Sequence, residues 1–221
     1  MKFLTKKRVV LFLLFIFPLI CFLILSTGEN NFKKLPVLNE EVYNLDEVIK
    51  KPLLENKVSV ICFLGDDIDA QKSGIFNLNE KIYKKFIEYN DFQIVAIYPQ
   101  ENESKVLELK EDLGKFTDMQ KWKLLPLPKD EITNFYNSLS VKDDLKDFGL
   151  SKAFILDKNM FLRGRTNDKD FADGRLEAYN LNSVAELKDK LKDDINVLFY
   201  EYYAAFKQRN KNKADRKEVG L

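Results

Sequence analysis

The sequence has no histidine and only two cysteines among its 221 residues. Without histidine, the chain cannot use Ser-His-Asp or Cys-His catalysis, an imidazole metal ligand or a histidine pH switch. Two cysteines cannot form a four-cysteine zinc site or a disulfide framework. The glycine-rich phosphate-binding motifs and the G-x-S-x-G nucleophile motif are also missing. These absences exclude several common classes of enzyme.

The charge is balanced overall but unevenly distributed. Lys and Arg number 36 and Asp and Glu number 35, for a net charge of +1. Residues 1–8 and residues 207–221 each carry a net +4, so subtracting both ends leaves −7 for residues 9–206. Because nucleic-acid binding needs a basic face, we expect no nucleic-acid partner for this acidic body. With 45% apolar residues, the chain has enough apolar side chains for a packed core.

The N-terminus has the pattern of a signal anchor. Val9 to Leu25 is an unbroken run of 17 residues without a charge. It includes Pro18, which membrane helices tolerate. The run predicts a transmembrane helix over 9–26, with the basic residues 1–8 in the cytoplasm and the C-terminal domain outside it. Signal-peptide cleavage, which would release a secreted domain, is the alternative, although Leu25-Ser26-Thr27-Gly28 lacks an A-x-A pattern.

After this run, residues 27–54 are predicted to be a polar tether and lead-in, with a short edge strand that includes Val37, Val42 and Leu45. Residues 55–206 then alternate between strand and helix patterns. A buried strand at 57–64, a helical face and a second buried strand at 92–98 together predict a βαβ unit with parallel strands. The face of that helix is formed by Ile75, Leu78, Ile82 and Phe86.

The second half of the body continues this alternation. We predict helices around residues 106–116 and 132–139, a short strand at 122–125, and a hairpin of strands 153–156 and 160–163. Residues 166–182 are predicted to be a surface loop. A final helix starts with a Ser183/Glu186 capping box, and a basic, flexible tail spans 207–221. The expected fold class is α/β, in the order of a thioredoxin-like central sheet with flanking helices and one inserted helical segment.

Several segments resemble the Sco/SenC family, which comprises membrane-tethered thioredoxin-fold proteins. The matching segments are Phe148-Gly149-Leu150, residues 153–158, residues 161–164 and residues 187–198, and the N-terminal anchor matches as well. The likeness covers roughly residues 55–200. It implies a protein that handles copper and thiols outside the cytoplasm during assembly of respiratory cytochrome oxidase.

The sequence departs from this family at its functional site. The family carries a C-x-x-x-C pair in the loop after the first strand and a distant histidine that completes a copper site. Here that loop is Gly65 to Lys72 and contains no cysteine, and the histidine position falls near Ser151-Lys152. No catalytic, cofactor-binding or metal-binding residue is carried over, and we expect no cofactor.

Other residues are weaker site candidates. Asp66, Asp67 and Asp69 lie where the family has its cysteines, and three carboxylates could bind a hard cation; a solvated loop that caps the next helix through Asp69 or Ser73 is the alternative. A second acidic set, in the 166–182 segment, has the same two interpretations. It consists of Asp168, Asp170 and Asp173 with Gly174.

For the cysteines and for the aromatic residues near the end of the last helix, a structural role is the first interpretation. Cys62 lies within a strand pattern and is expected to be a buried, unreactive thiol, and Cys21 lies in the membrane run. In an aromatic patch near the end of the last helix, Tyr202 is expected to pack and the other side chains to provide amphipathic cover, and the alternative is a patch that docks a partner or meets a membrane interface. The basic tail could contact anionic lipid or an acidic partner, or be a solubilising end. The patch consists of Tyr200, Tyr202, Tyr203 and Phe206.

The sequence thus predicts a non-enzymatic, membrane-anchored extracytoplasmic domain that interacts with a membrane-protein partner, without an identifiable small-molecule substrate. The family resemblance suggests cytochrome oxidase assembly as the process. The rival hypothesis is a metal-dependent or acid–base enzyme that uses Asp66, Asp67 and Asp69. A secreted domain is the third.

Overall fold

The computed structural model describes residues 6–26 and 34–218, and it divides into two compact units, Met1–Lys33 and Lys34–Leu221. In the first unit, helix α1 spans Lys6–Ser26 and contains Pro18. A search of the described residues finds no helix with the length and hydropathy needed to cross a membrane. The predicted tether begins outside the described residues, at 27–33.

The second unit is a mixed α/β domain, and its strands form one sheet. The strands are β1 Val37–Asn39, β2 Val58–Leu64, β3 Phe92–Pro99, β4 Trp122–Leu127, β5 Gly149–Leu156, β6 Leu162–Arg163 and β7 Tyr179–Asn180. Their order is β1-β6-β5-β2-β3-β4, and β7 pairs with β5. Strands β2, β3 and β4 are parallel, whereas β5 is antiparallel to both β2 and β6. The predicted parallel βαβ unit and the hairpin are confirmed.

Helices cover both faces of the sheet. They are α2 Leu45–Val48, α3 Ile68–Leu78, α4 Lys84–Phe86, α5 Glu103–Gly114, α6 Lys129–Ser138, α7 Val184–Glu186 and α8 Lys192–Glu218. A π-helical turn, Asn79–Tyr83, joins α3 to α4, and another, Leu187–Leu191, joins α7 to α8. This order of a βαβ unit, an insert, a hairpin and a final helix is that of a thioredoxin-like fold.

Strand β2 shows why both faces are buried. Val60, Cys62 and Leu64 belong to the core on one face, while Ile61 and Phe63 belong to the core on the other, as the period of two along a strand requires. All buried members of both cores lie between Leu35 and Leu198. The unit Lys34–Leu221, called the domain below, therefore carries its own cores and folds as a unit.

Several local predictions were wrong. The loop after the first strand, expected to span Gly65 to Lys72, ends early, because the Asp67 side chain accepts a hydrogen bond from the Ala70 N–H and starts α3 at Ile68. Val42 is not in a strand, and Leu45 begins the short helix α2. Phe116 lies beyond the end of α5 and is exposed.

The segment 166–182 is not only a surface loop. Tyr179 and Asn180 form β7, which pairs with Lys152 and Ala153 of β5. Four apolar side chains of this segment are buried, namely Leu176, Ala178, Tyr179 and Leu181. This short strand could not be recognised in the sequence, because two residues are too few to show the period of a strand.

The final helix begins as predicted but continues further. Ser183 Oγ accepts the Glu186 N–H at 3.2 Å, whereas Glu186 Oε1 accepts the Asn180 N–H instead of closing the capping box. Helix α8 continues to Glu218, so the tail predicted to be flexible over 207–221 has a helical backbone up to that residue. Its flexibility in solution stays a prediction.

An ion pair between helices gives a pH-dependent prediction. Lys115 Nζ and Lys72 Nζ lie 2.8 and 2.6 Å from the carboxylate oxygens of Asp112, which joins α3 to α5. These two hydrogen bonds lower the pKa of Asp112 to about 2. A carboxylate with a lowered pKa in the folded state stabilises that state above its unfolded pKa and loses this contribution as the pH falls.

We therefore expect Asp112→Asn to destabilise the domain at neutral pH, and we expect this difference to shrink as the pH falls from about 4 to about 2. Urea unfolding of both proteins across this range measures the difference. Asp189→Asn, which removes an exposed carboxylate from the same domain, serves as the control. An effect of Asp112→Asn that does not vary with pH would contradict the assignment.

Candidate functional site

Polar side chains meet where the three parallel strands end. Strands β2, β3 and β4 end at Leu64, Pro99 and Leu127, and a helical segment follows each of them. Asp66 lies at the centre of this edge: its Oδ1 accepts a hydrogen bond from Asn102 Nδ2 at 3.0 Å, and its Oδ2 lies 2.9 Å from Lys129 Nζ. In open α/β sheets, ligands bind in the crevice outside these carboxyl ends.

The loop before β5 forms the facing wall of this crevice. The Asp66 N–H donates to the Asp147 carbonyl at 2.8 Å, and Lys129 Nζ lies 4.9 Å from the centre of the Phe148 ring. Asp147 and Phe148 have backbone φ angles of 46° and 61°, which residues other than glycine rarely adopt. We call Asp66, Asn102, Lys129, Asp147 and Phe148 the crevice cluster.

An open groove of about 410 Å³ adjoins the crevice cluster, between α6 and the 144–148 segment. Its other lining residues are Thr133, Tyr136, Asn137, Asp144 and Leu145. Tyr136 is mostly buried. Burial is the main cause that raises the pKa of its hydroxyl, and the nearby acidic groups raise this pKa further. Tyr136 therefore stays a neutral donor, and its hydroxyl donates to the Asp143 carbonyl at 2.6 Å. Two backbone positions with positive φ beside a groove are a pattern of strain that often accompanies a binding site.

The three predicted acidic candidates have separate roles. Asp66 is engaged by Asn102 and Lys129, Asp67 caps α3, and Asp69 is exposed in the first turn of that helix. Among the side chains that the structure describes, no group of three or more acidic or cysteine residues is arranged to hold a metal ion. The geometry thus favours the alternative in which these residues solvate the loop and cap the helix, although the cap is Asp67 and not Asp69 or Ser73.

The carboxylates of the second acidic set form ion pairs with lysine side chains. Lys190 Nζ lies 2.7 Å from Asp168 Oδ1 and 2.6 Å from Asp170 Oδ2, and Asp173 pairs with Lys142. Gly174 adopts a φ of +70°, and a Cβ atom there would lie 2.7 Å from the Thr166 carbonyl oxygen. These pairs attach the 166–176 segment to the domain and neutralise its carboxylates.

Cys62 is enclosed in the core, as predicted. Its side chain is 1% exposed, and its thiol lies 3.7 Å from the Val95 carbonyl. Burial raises the pKa of the thiol far above its usual range, so the thiolate that thiol chemistry requires does not form. Cys21 is partly exposed on α1, in the other unit.

We expect Cys62 to be unreactive in the native protein. In a Cys21→Ser variant of the full chain, a thiol reagent should modify Cys62 at least about a hundredfold more slowly than in the denatured chain, because reaction requires exposure of the core. A colorimetric thiol assay with and without denaturant measures the ratio. The unsubstituted chain is the control, since its Cys21 adds a second thiol. Rapid native reaction of Cys62 would show that the thiol is accessible.

Ser151 and Lys152, where the resemblance led us to expect a histidine position, have hydrogen-bonded side chains. Ser151 Oγ donates to Gln71 Oε1 at 2.9 Å, and Lys152 Nζ lies 2.7 Å from Asp143 Oδ2. The crevice cluster itself offers carboxylate and amide oxygens beside the Lys129 ammonium group, whereas copper prefers thiolate and imidazole ligands. These residues do not fit a copper ion.

The late aromatic residues divide into two groups. Tyr202 is partly buried, accepts a hydrogen bond from the Lys158 N–H at 3.2 Å, and lies under Lys158 Nζ. Tyr200, Tyr203 and Phe206 are exposed. The predicted packing of Tyr202 is thus confirmed.

Sequence reasoning missed Asn102, Lys129, Asp147 and Phe148 as site residues. Asn102 and Lys129 each follow a strand that ends near a proline, at Pro99 and Pro128, so polar residues directly after strand ends were the available signal. The two residues with positive φ had no signal of this kind, since Asp147 and Phe148 are not glycine.

Comparison with known proteins finds similarity to solved structures alone. No protein-family model matches the chain, and no curated protein matches it. Similar solved structures include a candidate protein disulfide isomerase from Bacteroides thetaiotaomicron, with 16% identity, 79% of this chain and 99% of that chain covered, and a TM-score of 0.49. A SCO1/SenC family lipoprotein from Bacillus anthracis has 21% identity, coverage of 76% and 96%, and a TM-score of 0.44.

The soluble domain of Sco1 from Bacillus subtilis is a third similar structure, with 14% identity, coverage of 76% and 98%, and a TM-score of 0.38. These three identities are below 25% and the TM-scores are below 0.5. We therefore assign the thioredoxin-like fold from the strand order and directions of this chain itself.

Proposed function

We propose that this protein is a thioredoxin-like binding module, a non-catalytic accessory in the assembly of a membrane-protein complex outside the cytoplasm. The observation that carries this proposal is the crevice cluster. At the edge of the sheet where ligands bind in this type of fold, Asp66 is paired with Lys129 and Asn102, while the thiol of Cys62 is enclosed in the core.

The chemistry of the crevice cluster suits recognition of a polypeptide. Phe148 offers an aromatic surface, Lys129 can pair with a carboxylate, and Asp66 can accept a hydrogen bond or pair with a cation. Lys129 and Asp66 are each more than a third exposed, so they remain accessible to a partner. Because an exposed ion pair contributes little to stability, a partner can replace it at low cost.

We further propose that residues 9–26 act as a signal anchor, with residues 1–8 in the cytoplasm. The sequence supports this through its uncharged run of 17 residues after a +4 segment. Described apolar side chains of α1 are also exposed, from Val9 to Ile24. Membrane fractionation combined with the mass of the N-terminal peptide tests the proposal, since a soluble protein without residues 1–26 would instead indicate a secreted domain.

Respiratory cytochrome oxidase is the first complex to test, because the Sco/SenC resemblance points to it. A photo-crosslinking phenylalanine analogue at Phe148, in the full chain in native membranes, should capture oxidase subunits. The same analogue at Leu107, which is 46% exposed on α5, is the matched control. Lys129→Glu should reduce the Phe148 crosslink. Consistent absence of oxidase subunits would remove the oxidase as partner, and equal capture from Leu107 would remove the crevice as its site.

The enzyme hypothesis is tested by replacing Asp67 and Asp69, which lie outside the crevice cluster, with asparagine. Asparagine keeps an acceptor for the Ala70 N–H, so we expect the fold and the Phe148 crosslink to persist. Loss of biological activity with the fold and the crosslink intact would favour a catalyst. Submicromolar binding of copper by the purified domain would contradict a module without a copper site.

A further inference from the structure

Three large aromatic side chains lie exposed along one segment of α8. Tyr200, Tyr203 and Phe206 are 48%, 63% and 57% exposed, and the rings of Tyr200 and Tyr203 lie 6.4 Å apart in an edge arrangement. Their spacing of three residues places them on neighbouring turns of one side of the helix. Leu191, Ile195 and Leu198, earlier in the same C-terminal helical segment, are instead fully buried.

The helix becomes strongly basic directly after these aromatic residues. The backbone of α8 continues to Glu218, and residues 207–221 carry six basic and two acidic side chains, a net +4. The remainder of the chain between the two basic ends carries −7. An aromatic segment is thus joined to a cationic segment on one helix, at the end of an otherwise acidic domain.

We propose that the Tyr200–Glu218 part of α8 is a docking surface for an anionic lipid bilayer. Aromatic side chains favour the headgroup region of a membrane, and basic helical segments are attracted to its negative surface potential. Charge complementarity favours this occupant, because zwitterionic lipid offers no net charge to a +4 segment. The proposal is independent of the proposed function and of the signal anchor, since it concerns the domain alone.

Vesicle co-sedimentation of the Lys34–Leu221 domain tests this surface without the N-terminal helix. We expect binding to phosphatidylcholine vesicles that contain phosphatidylglycerol, weak binding to pure phosphatidylcholine, and loss of binding at high salt. Tyr203→Ser/Phe206→Ser should weaken binding several-fold. Lys211→Glu/Lys213→Glu/Lys217→Glu should weaken it by about fivefold or more for each lysine replaced, since one basic residue near such a surface contributes about 1 kcal/mol.

Matched variants separate this surface from the overall charge. Lys105→Glu/Lys110→Glu/Lys188→Glu makes the same charge change at exposed positions outside α8 and should bind nearly as well as the unsubstituted domain. Leu107→Ser is the control for the aromatic pair. Circular dichroism and thermal unfolding verify that each variant is folded.

Three outcomes would overturn the proposal. One is equal binding to vesicles with and without anionic lipid, and another is equal loss of binding in the matched charge variant. The third is binding of the domain to polyglutamate but not to anionic vesicles, which would assign the surface to an acidic protein. As a second measurement, the full chain in anionic nanodiscs should protect residues 207–218 from protease relative to zwitterionic nanodiscs, and equal cleavage in both would contradict it.

Discussion

Replacing Gly65 with alanine is expected to destabilise the domain by about 3 kcal/mol or more. Gly65 has a φ of +67°, and a Cβ atom there would lie 2.5 Å from the Gly149 nitrogen and 2.6 Å from the Asp147 carbonyl oxygen. Both are backbone atoms, so they cannot move away as a flexible side chain would. The variant must therefore separate the end of β2 from the loop before β5, which also opens the crevice cluster.

Urea unfolding of the domain measures this loss, and Gly114→Ala is the matched control. A Cβ atom at Gly114, at the end of α5, would meet only Met119 Cγ at 3.9 Å, so alanine fits there and favours the helix by up to about 1 kcal/mol. If Gly65→Ala were as stable as the unsubstituted domain, the close contact between the two loops would be wrong.

Replacing Arg165 with methionine is expected to destabilise the domain by about 3–5 kcal/mol at neutral pH. Arg165 Nε lies 2.8 Å from Asp194 Oδ2, and the hydroxyl of the buried Tyr179 donates to the same oxygen at 2.7 Å. Asp194 is only 5% exposed. Without the guanidinium group, the buried carboxylate of Asp194 would lose its cationic partner and keep the neutral Tyr179 hydroxyl as a hydrogen-bond donor.

A double variant distinguishes the buried charge from lost packing. Arg165→Met/Asp194→Asn should recover much of the stability, because the introduced asparagine side chain is neutral and still accepts the Tyr179 hydroxyl. Unfolding free energies of the single and double variants form a double-mutant cycle, which isolates the coupling between the two side chains. Additive losses would contradict an interaction between them.

The pH dependence of Arg165→Met has a definite sign. Burial raises the pKa of Asp194 even in the native protein, although Arg165 and Tyr179 oppose the increase. A carboxyl group with a raised pKa favours the folded state at low pH, and this contribution is lost as the pH rises through that pKa. Removal of Arg165 raises the pKa of Asp194 further, so the loss in the variant should be smaller near pH 4 than near pH 7.

Much of the sheet could be predicted from the sequence because its strands are short apolar runs with clear ends. The predicted runs 57–64 and 92–98 correspond to β2 and β3, and the hairpin predicted around Asp157 joins β5 to β6. Short elements without a full period were not recognised. Tyr179 and Asn180 have strand geometry only because Lys152 and Ala153 lie beside them.

The candidate site was only partly visible in the sequence. The position after β2 was recognised through the family resemblance, and Asp66 was among its candidates. Its partners Asn102 and Lys129 are separated from Asp66 by 36 and 63 residues. Only the parallel order of β2, β3 and β4 brings the ends of these strands to one edge of the sheet.

The α/β class, the buried position of Cys62 and the basic ends of an acidic body could all be predicted from the sequence. These features depend on local composition and on the alternation of apolar residues, which a single chain displays along its length. Three other features became visible only in the folded domain: Asp66 pairs with Lys129, Asp147 and Phe148 adopt positive φ beside Gly65, and Tyr203 and Phe206 are exposed. Each of these depends on contacts between residues distant in sequence, which no local pattern specifies.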